Sequence, residues 1–269
     1  MAWHSHGHDQ ASLADALKRN GLITTPAVEA ALRAVDRAHF CALRGADPYQ
    51  DAPQRTPYAG ATISAPHMHA QCLELVARFV RRRAEEQGAS AAAAAAGPVR
   101  ILDVGCGTGY LLAALAHLAI ASGAKSVEVV GVERIAPLAE AARALLCGGG
   151  GAPLLPPSGD VRVTVVEGDG HAGWHQGAPY DVIHVGAAVS GGVPLDLLAQ
   201  LAPGGALVAP LVDEDDDQGG GQQRQQQALW LVEKGLDGSE LTRTRVMPVV
   251  YVPLVKDTAR VEATVLGSN

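Results

Sequence analysis

No apolar run in this chain reaches the roughly 18–20 residues that span a bilayer, because charges and glycines break every candidate. The opening Met-Ala-Trp-His-Ser-His-Gly-His lacks the apolar core of a secretory leader, so a cytoplasmic protein with no membrane partner is expected. The four cysteines, Cys41, Cys72, Cys106 and Cys147, lie far apart and form no C-x-x-C pair. Reduced thiols fit that spacing better than a disulfide frame. Positive charge is not in excess either. The formal net charge is −7, and residues 213–217 (Asp-Glu-Asp-Asp-Asp) supply −5 of it, leaving −2 for the rest. That near-neutral balance lacks the basic footprint of a nucleic-acid binder, and the acidic run reads as a solvated loop. His4, His6 and His8 alternate near the start, but no further ligand cluster accompanies them. A mobile terminus is expected there, and no metal site.

What the chain has is apolar residues: 48% hydrophobic against 18% charged over 269 residues, enough for a sizeable core in one large domain or two small ones. One stretch organises the rest. The apolar run Val99–Val104 ends in three alternating glycines, Gly105, Gly107 and Gly109, and a helical apolar pattern follows through Leu111, Leu112, Leu115 and Leu118. Strand, glycine turn and helix open a nucleotide-binding βαβ unit. Glycines there let a ligand approach the backbone and allow positive φ. The spacing is G-x-G-x-G, not the dinucleotide G-x-G-x-x-G. With Asp103 ahead of it, the turn resembles the cofactor loop of S-adenosylmethionine-dependent methyltransferases. Other α/β nucleotide sites, or a purely structural tight turn, share this pattern.

A second informative stretch is Gly60-Ala-Thr-Ile-Ser-Ala-Pro-His-Met-His69. Thr62 and Ser64 are two apart, so an extended backbone sends both hydroxyls to one side. Pro66 disfavours helix at Ala65 and marks the turn into a helix with Leu73, Val76, Ala77 and Val80 at core spacing. Ser64 could equally cap that helix, and His67 could be a satisfied first-turn polar residue. Upstream, Ser12-Leu-Ala-Asp15 reads as a capping-box start with Gly21 as the stop, and Thr25-Pro26 begins a second helix.

Strands are expected over 127–132, 161–167, 181–185 and 206–210, with helices over 137–146 and 194–201. The last strands are expected over 228–234, 240–246 and 249–254. Residues 87–97 read as an alanine run that either extends the preceding helix or acts as a spacer, 147–159 as a surface loop, and 213–227 as a flexible acidic and glutamine-rich hairpin extension. Glu133 stands at a strand end where a carboxylate can accept two ribose hydroxyls, although a plain surface charge is the alternative. Arg134 could cover the adenine. At the next strand end Asp169 could accept the exocyclic amine of adenine, and Gly168 permits close approach. His184 alternates into an apolar strand and reads as a satisfied core histidine, and Trp174 could be core or cleft wall.

Ala61-Thr-Ile-Ser-Ala-Pro-His-Met-His69, followed by Asp103-Val-Gly-Cys-Gly-Thr-Gly109, closely resembles the protein-L-isoaspartate (D-aspartate) O-methyltransferases. The resemblance continues at Val166-Glu-Gly-Asp-Gly170, Pro179-Tyr-Asp-Val-Ile-His-Val-Gly-Ala-Ala188 and Leu201-Ala-Pro-Gly-Gly205. Met1-Ala-Trp3, Asn20-Gly-Leu-Ile23 and Val250-Tyr-Val-Pro-Leu254 look like the eukaryotic branch.

This resemblance implies an α/β fold, the Rossmann-like class I methyltransferase sandwich with a mostly parallel seven-stranded sheet and helices on both faces. It implies one domain: residues 1–69 as helical cap and active-site loop, 70–212 as core, 213–227 as insertion and 228–269 as C-terminal strands and tail. The implied activity is transfer of the S-adenosyl-L-methionine methyl group to the free carboxylate of L-isoaspartyl and D-aspartyl residues in damaged proteins and peptides. The product is S-adenosyl-L-homocysteine, repair proceeds through a succinimide, and a monomer is expected. Ser64 is implied to orient the carboxylate, with Thr62 supporting the loop. Ala61, Thr62, Ile63 and Ser64 would cover the cofactor, His67 and Cys106 would line its pocket, and Asp103, Gly105 and Gly107 would form its loop. The segment around Val252-Pro-Leu254 would pair with the substrate peptide by strand addition. Val255 and Arg260 depart from the eukaryotic pattern, which puts tail contacts to the cofactor in question. Two alternatives stand beside this reading: a same-fold enzyme acting on a small molecule, and a module that holds cofactor without turnover.

Overall fold

In the computed structural model, which describes residues 5–42, 45, 47–56, 61–89, 97–147, 154–213 and 226–256, the apolar run before the glycines is an inner strand of a sheet. β1 (Gln54–Arg55) and β2 (Thr62–Ile63) form a small antiparallel ribbon ahead of it. β3 (Val99–Val104) pairs in parallel with β4 (Ser126–Glu133) and β6 (Tyr180–Val185). β5 (Asp160–Glu167) lies in parallel outside β4, and β7 (Leu201–Val212) in parallel outside β6. β8 (Gln227–Lys234) and β9 (Leu241–Val249) complete the other edge as antiparallel neighbours, giving the order β5-β4-β3-β6-β7-β8-β9. This is the expected mostly parallel seven-stranded sheet. Because the chain moves outward from β3 to β5 and then returns to the other side of β3, β3 and β6 form the switch point. Ligands of open α/β sheets bind outside the strand ends there.

Both sheet faces are covered. On one side, α1 (Gln10–Arg19), α2 (Pro26–Ala34), α3 (Pro66–Gly88) and α4 (Tyr110–Ala121) pack into the larger core with β3 and β4. α4 is apolar all round, which suits a helix buried between the sheet and other helices. α5 (Ala136–Cys147) adds Ala139, Ala142 and Leu146 to this core. On the other side, α6 (Leu195–Gln200) packs Leu197 and Leu198 on β6 and β7, and Trp174 is partly buried against that second core. No described helix is long and apolar enough to cross a membrane.

Several local expectations are corrected. The cap of α1 is Asp9, not Ser12; Ser12 sits at the third helical position and closes the box reciprocally. Ala65 is the cap residue of α3 and makes no side-chain cap bond, so Ser64 is free of that duty. From Ser5 onward the terminus is not mobile: Ser5 is buried, and Nδ1 of His6 accepts from the Asp51 N–H at 3.0 Å. Leu154 packs into the larger core, so 147–159 is not wholly a surface loop. Residues 249–254 are not a separate strand: Val249 ends β9, and Pro253 forms an isolated parallel bridge with Ala188. Met1-Ala-Trp3, His4, Arg260, and most of the alanine-rich, glycine-rich and acidic runs lie outside the described residues.

Candidate active site

The glycine turn is sewn to the neighbouring strand ends. The N–H groups of Gly105 and Cys106 both donate to the Val132 carbonyl, at 2.8 and 3.2 Å, and Gly186 N–H donates to Val104 O at 2.8 Å. Gly109 caps α4 at φ +92°, and a β-carbon there would stand 2.7 Å from Leu146 Cδ1. At Gly186 a β-carbon would lie 3.1 Å from Gly105 O, so the two loops approach closely enough that a side chain there would press on the Gly105 backbone.

Glu133 ends β4 with its carboxylate buried beside this turn. Its Oε2 accepts from Gly107 N–H at 3.0 Å and its Oε1 from Ile135 N–H at 2.9 Å. Each oxygen keeps a further lone pair for a ligand hydroxyl. A cavity of 280 Å³ opens here, lined by Ala61, Thr62, Gly105, Gly107, Glu133, Arg134 and Val255 among others. A narrower cavity of 50 Å³ continues inward past Thr62, Gly105, Gly107 and Gly186 to Ile63, Ser64, His69, Asp103, Cys106 and His184. A third, of 280 Å³, lies on the outer side of Ser64 and is lined mostly by apolar groups, including Pro53, Met68, Val250 and Val252. Ser64 borders the second and third cavities, and Thr62 borders all three.

The floor of the second cavity is charged. His184 Nδ1–H donates to Asp103 Oδ1 at 2.7 Å, while Asp103 Oδ2 is buried without a partner among the described residues. A buried carboxylate oxygen without a donor is costly, and it is suited to a ligand ammonium. Burial works against a charged His184 ring, but Cys72 and Asp103 outweigh it and push its pKa up to about 10. The histidine is therefore satisfied, as expected, and held protonated rather than poised as a base. Because its folded pKa lies above the unfolded value, its contribution to stability is complete below pH 6.5 and is lost as pH rises through about 10. Thermal melts across that window should show the wild type losing more than His184→Gln; parallel curves would remove the ion pair from the stability balance.

His69 was passed over as part of a motif, yet it faces the second cavity. Burial and the nearby Arg37 keep its pKa well below 6.5, so the ring is neutral. Its Nδ1 accepts from Arg37 Nη1 at 3.2 Å, which leaves the proton on Nε2. Arg37, also missed, is fully buried and donates to the carbonyls of Ser64 (2.7 Å) and Pro48 (3.0 Å). Its only sequence signal is a charge enclosed by apolar Val35 and Phe40, both core residues. Cys106 lines the second cavity, and burial raises its thiol well above the usual range.

Some expected residues stand elsewhere. His67 does not line these cavities; its Nδ1 lies 2.7 Å and its N–H 3.0 Å from Asp51 Oδ1, fastening α3 to the preceding loop. Gly168 and Asp169 follow β5, with Gly168 N–H on Glu133 O at 3.1 Å, but Gly170 is the residue from this turn that lines the first cavity. Asp169 Oδ1 accepts from His171 N–H at 2.9 Å. At 252–254, Val252 O accepts from Ala188 N–H at 2.8 Å and Leu254 N–H donates to Ala188 O at 2.7 Å, so one edge of this segment is already paired. Those groups are spent within the chain.

The model of the protein-L-isoaspartate (D-aspartate) O-methyltransferase family matches residues 8–259. Protein-L-isoaspartate O-methyltransferase 1 of Arabidopsis thaliana is 35% identical over 249 residues, covering 93% of this chain and 92% of its own. The Caenorhabditis elegans protein-L-isoaspartate O-methyltransferase is 38% identical over 211 residues, 78% of this chain and 81% of its own. A Plasmodium falciparum structure, provisionally named for the same activity and holding S-adenosyl-L-homocysteine, superposes with a TM-score of 0.69 at 25% identity. It is matched over 93% of this chain and 100% of its own.

Proposed function

The chain belongs to the protein-L-isoaspartate (D-aspartate) O-methyltransferase family, and from that premise we infer that it methylates isoaspartyl carboxylates at the junction of its second and third cavities. It is an S-adenosyl-L-methionine-dependent protein carboxyl methyltransferase, with isoaspartyl-containing proteins and peptides as substrates. The observation that carries the site assignment is the continuous recess with paired acceptors on Glu133 at one end and the orphaned Asp103 Oδ2 at the other.

The residues fit the cofactor. Glu133 would accept the ribose hydroxyls, Asp103 Oδ2 the amino group, and the Gly105–Gly107 and Gly186 backbones would lie against the chain between them. Arg134, Gly168 and Asp169 would border the adenine. When bound, the sulfonium supplies an activated methyl group, and no metal is needed. The acceptor carboxylate ionises far below neutral pH, so no strong base is required. What remains for the protein is alignment and exclusion of water. Ser64 donates its hydroxyl to the carboxylate and fixes one oxygen on the line to the methyl carbon. Arg37 holds the Ser64 carbonyl and so fixes the backbone that carries this hydroxyl. Opposite charges cancel as the methyl moves, which the weakly polar third cavity favours. The methyl ester then leaves more readily than the acid, so the following backbone amide nitrogen can displace methanol and close a succinimide.

On this reading residues 1–69 cap a single domain that works as a monomer in the cytoplasm. The test is transfer of labelled methyl to two peptides differing only in one L-isoaspartyl or L-aspartyl linkage. Base-labile label on the isoaspartyl peptide alone is expected. Label on neither, with cofactor bound, would turn the assignment to a small-molecule acceptor or a non-catalytic module. Ser64→Ala should lower kcat on the order of tenfold to a hundredfold while leaving cofactor affinity unchanged. An equal loss in both would contradict its role.

A further inference from the structure

Asp103 offers the cofactor a single oxygen, and one neighbour decides which way that oxygen points. The contact follows from strand register. β3 and β6 run in parallel with Asp103 directly opposite His184, so the two side chains leave the same face of the sheet side by side. In each of them the bonding atom is the third of the side chain, and the two meet at 2.7 Å, Nδ1–H of His184 to Oδ1 of Asp103. Both residues are buried, and both border the second cavity. The ring is held protonated, which makes the bond charge-assisted and about twice as strong as a neutral one.

A carboxylate is a rigid plane, so fixing Oδ1 also fixes Oδ2, the oxygen left without a donor among the described residues. Without His184 the terminal torsion of the aspartate, broad and roughly two-fold, loses its setting. Two unmet oxygens would then be buried, and a buried charge without a partner is costly. An arriving ammonium would have to stop that rotation itself, at the expense of its own binding. With the histidine in place each cation has its own oxygen.

Resting on the reading of Asp103 as acceptor for the cofactor's amino group, we propose that His184 is a positioning residue for cofactor binding: its Nδ1–H holds Asp103 Oδ1 so that Oδ2 is aimed at the ligand ammonium. The role is confined to the amino-acid end of the cofactor and leaves the adenosine end to Glu133.

Two ligands separate this role from a structural one. S-adenosyl-L-homocysteine carries the amino-acid end, whereas 5′-methylthioadenosine keeps the adenosine and the sulfur but has no amino group. In calorimetric titrations of the full chain, H184L should weaken S-adenosyl-L-homocysteine roughly tenfold or more, in the range of one hydrogen bond to a charged group. The same change should move methylthioadenosine by less than about twofold. H184N sets an amide N–H where Nδ1 stood and should return the S-adenosyl-L-homocysteine Kd to within about threefold of the wild type. H184Q carries its amide one bond further out and should bind like H184L. Should H184L not fold, H184N against H184Q carries the comparison. The proposal is overturned if H184L binds S-adenosyl-L-homocysteine as tightly as the wild type, if it weakens both ligands alike, or if H184N is as weak as H184Q. Wild type that binds S-adenosyl-L-homocysteine no more tightly than methylthioadenosine overturns the reading of Asp103, and this inference with it. Tight binding by a wild type that never labels the isoaspartyl peptide overturns only the choice of acceptor.

Discussion

Replacing Glu133 by alanine is expected to weaken S-adenosyl-L-methionine binding on the order of a hundredfold or more, the largest effect of any single change in the recess. Hydrogen bonds to a charged group contribute about 1.5–3 kcal/mol each, and the carboxylate offers two of them to a ribose. It also anchors the loop itself, through Gly107 N–H at 3.0 Å and Ile135 N–H at 2.9 Å. Alanine removes all four interactions at a side chain that is buried. Glutamine does not rescue the site. Its amide has one acceptor oxygen, so its NH2 must face either Gly107 N–H or Ile135 N–H, donor against donor. Glu133→Gln should therefore still lose roughly tenfold or more, about the cost of one unmet buried donor. Calorimetric titration with the cofactor checks both values. A Kd within about threefold of the wild type for Glu133→Ala would remove Glu133 from the cofactor site. Together with Ser64→Ala, the pair separates binding from turnover.

The glycine loop and Glu133 were legible in the sequence because their constraint is local. A strand, a positive-φ turn and a helix follow one another within a dozen residues, and the next strand delivers its end to the same cleft. The apolar runs of β3, β4 and β6 were equally plain, since buried parallel strands are apolar on both faces. What escaped depends on contacts distant in sequence. Arg37 reaches Ser64 and His69 across 27 and 32 residues, and no local pattern marks an arginine that will be buried. His67 and His69 sit two apart on one helix turn and look interchangeable as letters. One faces Asp51 and the other the cavity, because the helix phase set by Pro66 turns them to different sides. The apparent last strand failed for a related reason. Its alternating apolar residues at 250–254 suit pairing, but Pro253 lacks an N–H, and only the short bridge to Ala188 forms. The edge of the sheet ends at β9, and the exposed Val250 and Val252 border the third cavity instead.

Replacing Arg37 by alanine should destabilise the fold by about 3–5 kcal/mol, since each buried acceptor left unmet costs about 1–3 kcal/mol. The guanidinium is fully buried and supplies three donors in one plane: Nε to Pro48 O, Nη2 to Ser64 O and Nη1 to His69 Nδ1. It also sits over the Tyr110 ring, 5.6 Å from its centroid, and His69 packs on the same ring at 4.7 Å. Truncation leaves two carbonyls and an imidazole nitrogen unpaired, with a void beside Tyr110. Each kcal/mol is worth about 2–4 °C in a domain of this size, so a drop of roughly 6–20 °C in Tm is expected. Arg37→Lys keeps the charge but not the fork. A single ammonium cannot reach three acceptors held in separate directions, so most of the loss should remain. Activity should fall further than stability alone explains, because the Ser64 backbone is no longer held. Assays well below the lowered Tm separate the two: a folded Arg37→Lys protein with normal cofactor affinity and reduced kcat is expected. Wild-type turnover in that protein would show that the 61–65 segment holds Ser64 without its buried cation.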